Sequence, residues 1–204
     1  RRRRLLRVAR REIRDAMAYF RLAVSPDDGL AFERVVNNPK RGIGDKAQQT
    51  INLTAREGGL TLVEGARALV ASGGLTARPR KALGQLIDGI DRWHAACASG
   101  ADHIALAETI LDESGYTDMW KADTSPEAPG RLENLKELVS AVGEFDSLEG
   151  FLEHISLVMD RDADANGEMV SLMTLHAAKG LEFDHVFLPG WEEEVFPNRR
   201  SVDD

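Results

Sequence analysis

Residues 30–59 read LAFERVVNNPKRGIGDKAQQTINLTAREGG, and their punctuation decides the fold. A short helix fits Leu30 to Asn37 and must stop there. Asn38 precedes Pro39, and the proline ring pushes the residue before it out of helical backbone. Arg41-Gly42-Ile43-Gly44 makes a tight turn, after which a second helix runs to about Glu57 and ends at Gly58-Gly59. Gly and Pro are the strongest local breakers, and here they separate pieces of helical length. The same rhythm extends both ways. Upstream, Ile13, Met17, Phe20 and Val24 recur at helical intervals before Ser25-Pro26-Asp27-Asp28-Gly29 interrupts them.

Downstream, Thr61 and Glu64 stand at capping-box spacing and open a helix that reaches Val70 before Gly73-Gly74. Thr76 and Pro79 introduce the next, with Leu83, Leu86, Ile87, Ile90 and Trp93 on one stripe and Gly100 at its end. Trp93 is therefore expected in the core, while Trp120 and Trp191 stay open. Ile104 to Leu111 forms another helix, closed by Gly115. Tyr116 to Pro129 mixes aromatic, Pro and Ser residues and is expected to be a loop. Arg131 to Phe145 is periodic through Leu132, Leu135, Leu138, Val139 and Val142, and Ser147 caps a last helix to about Met159. The count is seven or eight short helices.

The texture changes after the polar run Arg161 to Gly167. Met169 to Leu175 is an apolar stretch of strand length, Ala177 to Leu181 a turn, and His185 to Pro189 a second strand-like run. The expected architecture is mainly α: a helical unit over 1–165, then a short strand-turn-strand piece over 166–204. About 35 residues cannot bury a core of their own, so this second piece reads as part of a larger α/β domain.

Composition narrows the function classes. Hydrophobic residues make 43% and charged residues 29% of the chain, a globular balance rather than a disordered one. No window approaches 18 uninterrupted apolar residues, which argues against a membrane span and a membrane partner. The basic start lacks an apolar stretch of the length a secretory signal needs. One cysteine, Cys97, suits a reducing compartment. The net charge of −8 hides an asymmetry: residues 1–21 hold nine arginines against Glu12 and Asp15, a local +7. The opening Arg1 to Arg4 run reads first as the solvated start of a helix, and second as a nucleic-acid arm. An acidic chain meets polyanions only through local basic surfaces or backbone amides. Chemistry is sparse. No Gly-Lys dipeptide occurs, so there is no Walker A loop, and the five histidines lack metal-ligand spacing.

Arg41-Gly42-Ile43-Gly44 has a physical reading of its own. Two glycines leave amides uncovered, and those amides with the start of the next helix can cradle a phosphate. Ile43 anchors the turn by packing inward. Residues 29–58 are locally +2, with Lys40, Arg41 and Lys46 beside the turn. A plain interhelix turn is the alternative. Gly73-Gly74, followed by Arg78, Arg80 and Lys81, is a second such junction, for which the plain turn is favoured.

Four segments, in order, resemble UvrD/Rep-type superfamily 1 DNA helicases. Residues 169–197, with the core Thr174-Leu175-His176-Ala177-Ala178-Lys179-Gly180-Leu181-Glu182-Phe183, resemble motif V and its following strand. Glu12 to Leu22 is similar to the helix that leads into the inserted 2B subdomain. Phe32 to Gly44 resembles its Asn-x-Pro-x-Arg-Gly-Ile-Gly element, and Arg131 to Leu138 a later 2B helix. The segment from Arg1 to Arg11 departs from the strand-like approach that the family pattern has before 2B.

The resemblance implies a 3′-to-5′ translocase with two RecA-like motor domains, 1A and 2A, and helical insertions 1B and 2B. This chain would be 2B plus the return of the chain into 2A. ATP and Mg²⁺ would be cofactors of the intact enzyme, with none bound by this piece, which is expected to be inactive as an ATPase. By the same resemblance, Arg41, Gly42, Ile43, Gly44 and Lys46 would contact duplex backbone. Thr174 and His176 would donate to DNA phosphates, Gly180 would admit a nucleotide phosphate, and Glu182 would accept from its ribose. The implied partners are a single strand–duplex junction of DNA, the remaining helicase domains and a repair protein. The implied setting is the bacterial cytoplasm, at the nucleoid. A rival reading makes the helices a protein-interaction or autoinhibitory module that binds a repair partner instead of DNA.

Overall fold

The computed structural model describes residues 10–164, 173, 174, 178, 182, 183 and 185–188. Nine helices lie among them: α1 Arg11–Val24, α2 Gly29–Val35, α3 Asp45–Gly58, α4 Leu62–Ser72, α5 Ala77–Ala98, α6 His103–Glu113, α7 Tyr116–Lys121, α8 Ala128–Val142 and α9 Leu148–Asp164. The chain divides into two units, one ending at Asp162 and the next beginning at Ala163. The architecture is mainly helical.

The first unit is built around α1, which packs against α2, α5, α6 and α8. An amphipathic stripe of Ile13, Met17, Phe20 and Val24 understates its burial. Ala16, Tyr19, Leu22 and Ala23 are also buried, and so are Glu12 and Asp15. A helix enclosed on nearly all sides needs partners for its polar residues as well as its apolar ones. Trp93 lies in the core, as its place on the α5 stripe predicts. Tyr19 meets it edge-on at 6.2 Å between ring centres.

Local signals place most helix ends. Thr61 accepts from the Glu64 backbone N–H at 3.3 Å while Glu64 accepts from the Thr61 N–H at 2.8 Å, the reciprocal cap expected from their spacing. Ser147 accepts from the Gly150 N–H at 3.0 Å and so begins α9. Asp28 caps α2, accepting from Ala31 N–H at 2.9 Å. Thr76 holds the cap position of α5 but its side chain makes no capping bond.

Three expectations are corrected. The stretch from Tyr116 to Pro129 is not one loop: α7 occupies Tyr116–Lys121 and buries Tyr116 and Trp120. Two apolar rings anchored in the core outweigh the loop-like composition around them. Helix α8 also begins earlier than expected, at Ala128, with Pro129 in its first turn, where a missing N–H costs nothing. Helix α9 continues past Met159 to Asp164, since no Gly or Pro stops it before Gly167. Of the two strand-like runs, Met169–Leu172 and Leu175 fall outside the described residues, and His185–Leu188 carries no strand.

The α3–α4 crossing depends on one glycine. A Cβ on Gly65 would lie 2.7 Å from Ala55 Cβ and 2.9 Å from its Cα and N. Real contacts of that kind do not occur, and the obstacle is backbone. Gly65→Ala should therefore push the two helices apart and lower stability by about 1–3 kcal/mol, as overpacked interiors do. Chemical denaturation of the two proteins measures this, and an unchanged midpoint would mean that the crossing is looser than the geometry indicates.

Candidate nucleic-acid interface

Between α2 and α3 the chain passes through Val36 to Gly44, and a single side chain organises that passage. The Arg41 guanidinium donates through Nη1 to the carbonyls of Val35 at 2.7 Å and Pro39 at 3.3 Å. Through Nη2 it donates to the Tyr19 hydroxyl at 2.9 Å and the Ser114 carbonyl at 2.8 Å. The flat, five-donor group of arginine suits such a divergent set of acceptors. It ties the loop to α1 and to the α6–α7 junction together. The Tyr19 hydroxyl in turn donates to the Asn38 carbonyl.

Asn37 supplies a second tie. Its Oδ1 accepts from the backbone N–H of Arg41 at 2.9 Å and of Ile43 at 3.2 Å, so the chain curls around the amide. Ile43 is fully buried, as its expected anchoring role requires. Gln48 reaches back from α3 to donate to the Ile43 carbonyl at 3.0 Å. With Arg41, Asn37 and Ile43 turned inward, Gly42, Gly44 and Lys46 are left at the surface.

The two glycines differ in kind. Gly42 has φ +76°, backbone that side-chained residues rarely adopt, and a Cβ there would also meet Pro79 Cγ at 3.4 Å. Gly44 has φ −76°, ordinary for any residue, and a Cβ on it would meet nothing within 4 Å. It is the cap residue of α3 and has no side chain to offer the first amides of that helix. Asp45 follows in the first turn and is exposed, as is Lys46. The result is a fixed loop whose outer side carries bare backbone, Lys40 and Lys46, and the Asp45 carboxylate.

Behind the loop lies a polar network that sequence reading missed. Asp15, buried on α1, binds Arg34 Nε at 2.7 Å and accepts from Asn38 Nδ2 at 2.8 Å and the Tyr116 hydroxyl at 3.2 Å. Glu12 accepts from Asn134 Nδ2 at 2.7 Å. Burial raises the pKa of both tyrosines, as the dominant cause in each case, and holds them neutral. An acid at position 15 in a helix otherwise apolar at 13, 16, 19 and 20 is the one hint the sequence carries of this network.

Of the remaining candidates, Thr174 and Glu182 belong to the second unit. Thr174 is exposed, with its carbonyl accepting from Ala178 N–H at 3.0 Å, and Glu182 is exposed. His176 and Gly180 lie outside the described residues. Trp120, which the sequence leaves open, is buried in α7 with the Arg131 guanidinium 4.5 Å above its ring. Trp191 lies outside the described residues. Among the described residues no cluster of His, Cys, Asp and Glu could hold a metal, and no helix is long and apolar enough to cross a membrane.

The geometry alone defines a helical unit that presents a glycine-containing turn, with open space before Gly44. Comparison with known proteins is more specific. The model of the UvrD-like helicase C-terminal domain matches residues 8–71 and 82–204. A probable DNA helicase II homologue of Rickettsia felis is 44% identical over 197 residues, which make 96% of this chain and 30% of that protein. DNA helicase II of Escherichia coli is 38% identical over 205 residues, 96% of this chain and 28% of that protein. ATP-dependent DNA helicase UvrD1 of Mycobacterium bovis is 36% identical over 220 residues, 95% of this chain and 28% of that protein. The chain belongs to the UvrD-like helicase family and spans under a third of the length of these relatives.

The Arg41 clamp can be tested by stability. Arg41→Ala leaves three carbonyls and a hydroxyl without their donor and should cost on the order of 3 kcal/mol in chemical denaturation. Arg41→Lys should recover little, because one ammonium cannot span four divergent acceptors. A lysine variant as stable as the parent would show that charge alone suffices. Alkaline pH tests the network behind it. The chain has two tyrosines, both in this network, so tyrosinate absorbance reports on nothing else. Their raised pKa values leave stability complete below the ordinary tyrosine pKa of 10.0 and remove it as pH climbs above that value. The absorbance should rise in one step with the loss of helical circular dichroism. A separate tyrosinate step in the folded protein would contradict the burial.

Proposed function

We propose that this chain is the 2B-containing part of an ATP-dependent 3′-to-5′ DNA helicase, with a role in holding duplex DNA and regulating its unwinding. The supporting observation is the Arg41-clamped loop: Gly44 exposed with open space before it, Gly42 in left-handed backbone, and Lys46 beside them in the first turn of α3. Backbone amides and a flexible ammonium suit phosphate oxygens, which carry no base identity, so the contact positions duplex without selecting sequence. In this reading Gly42, Gly44 and Lys46 face the DNA. Ile43 and Arg41 act from behind by fixing the turn.

The exposed carboxylate of Asp45 sits in the same first turn and opposes an anion. Lys46 and the uncapped amides of α3 offset it, in keeping with a contact that must release as the motor advances. Thr174 and His176 are proposed to touch DNA, and Gly180 and Glu182 the nucleotide, only in the intact enzyme. The phosphate-binding lysine loop is absent from these 204 residues, so ATP hydrolysis with Mg²⁺ would need the rest of the protein. The relative from Mycobacterium bovis carries the words ATP-dependent DNA helicase in its name, which supports that assignment.

Gly44 offers the cleaner test, since its backbone accepts any residue and the space before it is open. Gly44→Leu in the intact enzyme should leave folding and single-strand-stimulated ATPase unchanged while weakening duplex binding at least tenfold by fluorescence anisotropy. Lys46→Ala should reduce the magnitude of the slope of log affinity against log salt by about 1. Full duplex affinity in Gly44→Leu would remove this loop from the interface. Joint loss of ATPase and binding would mean that the loop serves the fold and not the duplex.

A further inference from the structure

The Gly42 turn has a neighbour. A Cβ on Gly42 would lie 3.4 Å from Pro79 Cγ, which places the first turn of α5 against the Arg-Gly-Ile-Gly loop. Pro79 is flanked by Arg78 and Arg80, and Lys81 follows; all three are exposed. At the junction before them Gly73 has φ +73°, and a Cβ there would be 3.3 Å from Arg80 Nη1. The two helix–glycine–helix junctions, about 30 residues apart in sequence, therefore adjoin.

Four features make this adjacency more than a plain turn. No acid occurs between Gly73 and Lys81. Among the described residues, none of Lys40, Lys46, Arg78, Arg80 and Lys81 has a carboxylate partner within ion-pair distance, whereas Arg21, Arg34, Arg67, Arg92 and Arg131 do. Cations in the first turn of a helix also oppose its dipole, so α5 does not gain stability from them. Finally, the family model passes from residue 71 to residue 82, so the segment with all three cations lies outside the family match.

We infer that Arg78, Arg80 and Lys81 form a second duplex-phosphate anchor, continuous with the Gly42–Lys46 face. This inference rests on the duplex-holding reading above. The two junctions would meet neighbouring phosphates of one backbone, the first by amides and Lys46, the second by side-chain charge. Binding through the second anchor is electrostatic and releases counterions, so it should be read in the salt dependence more than in the affinity at one ionic strength.

The test uses the full chain with a labelled duplex bearing a 3′ single-stranded tail, by anisotropy over a salt series. The variants are R78A/R80A/K81A, R78K/R80K and G44L, with circular dichroism and melting to confirm that each is folded. The triple alanine variant should reduce the magnitude of the log affinity–log salt slope by roughly 2–3, near 0.9 for each phosphate that is no longer neutralised. The lysine variant should keep the slope, and G44L should weaken binding while leaving the second anchor in place. An unchanged slope in the triple alanine variant, with binding impaired by G44L, overturns the second anchor and spares the first. Unchanged binding in both, or a parent chain without duplex affinity, overturns both. A lysine variant as impaired as the alanine one would also count against the anchor, because it would assign the effect to arginine geometry within the fold.

Discussion

The rest of the structure depends on where the Arg41 guanidinium goes. It lies among carbonyls from the end of α2, from the turn itself and from the α6–α7 junction, with the Tyr19 hydroxyl completing the set. Parts of the chain as far as 73 residues from Arg41 in sequence are held by one planar cation. Partly buried carbonyls left without donors are expensive, and an arginine that serves several at once fixes their relative positions. The glycines beside it owe their exposure to this inward commitment. A loop held only by glycine would be free to collapse onto the helices.

Behind the clamp, α1 carries the second constraint. Asp15 and Glu12 are buried acids, and buried charges persist only with close, well-directed partners. Arg34 and Asn38 come from α2 and the loop after it, Tyr116 from α7, and Asn134 from α8. Each partner sits on a different stretch of chain, so the network registers α1 against all of them at once. Apolar packing of Phe20, Leu22 and Trp93 gives the core its cohesion, but it would tolerate small slips of register. The polar set does not. The loop and the core are thus joined: Tyr19 lies in the core and binds Arg41, and Asn38 ties the loop to Asp15.

Much of this is legible in the sequence, and the failures have a common cause. Helix boundaries at Gly29, Gly58, Gly73, Gly100 and Gly115 follow from backbone chemistry that acts locally. So do the Thr61–Glu64 cap and the Trp93 stripe. Ile43 can be placed inside from its flanking glycines alone. The misplaced pieces are those decided at a distance. Tyr116 and Trp120 become helical because the core receives their rings, and nothing within five residues of either announces that. The sign of Arg41 can be read from the sequence, but its clamp on the fold cannot. Its four acceptors are 2 to 73 residues away, and the far ones lie beyond the reach of any local pattern. Charge type is written in sequence; which way a charge points is a tertiary fact.

That distinction also bears on how so acidic a chain could hold a polyanion. At physiological ionic strength exposed charges act over only about 8 Å. Distant carboxylates therefore do not cancel a local group of cations. Pairing sharpens the contrast, because Arg21, Arg67 and Arg92 are neutralised by Asp28, Asp91 and Glu113 on their own surfaces. The exposed lysines and arginines around Gly42 and Pro79, which have no such partners among the described residues, then stand as a small positive field beside these neutralised pairs. Under the proposed function, such an arrangement would orient the duplex before contact, and orientation is what a motor needs from a module that reads no sequence. A uniformly basic helical unit would bind more tightly but in many poses, and most of them would not lead a strand into the motor.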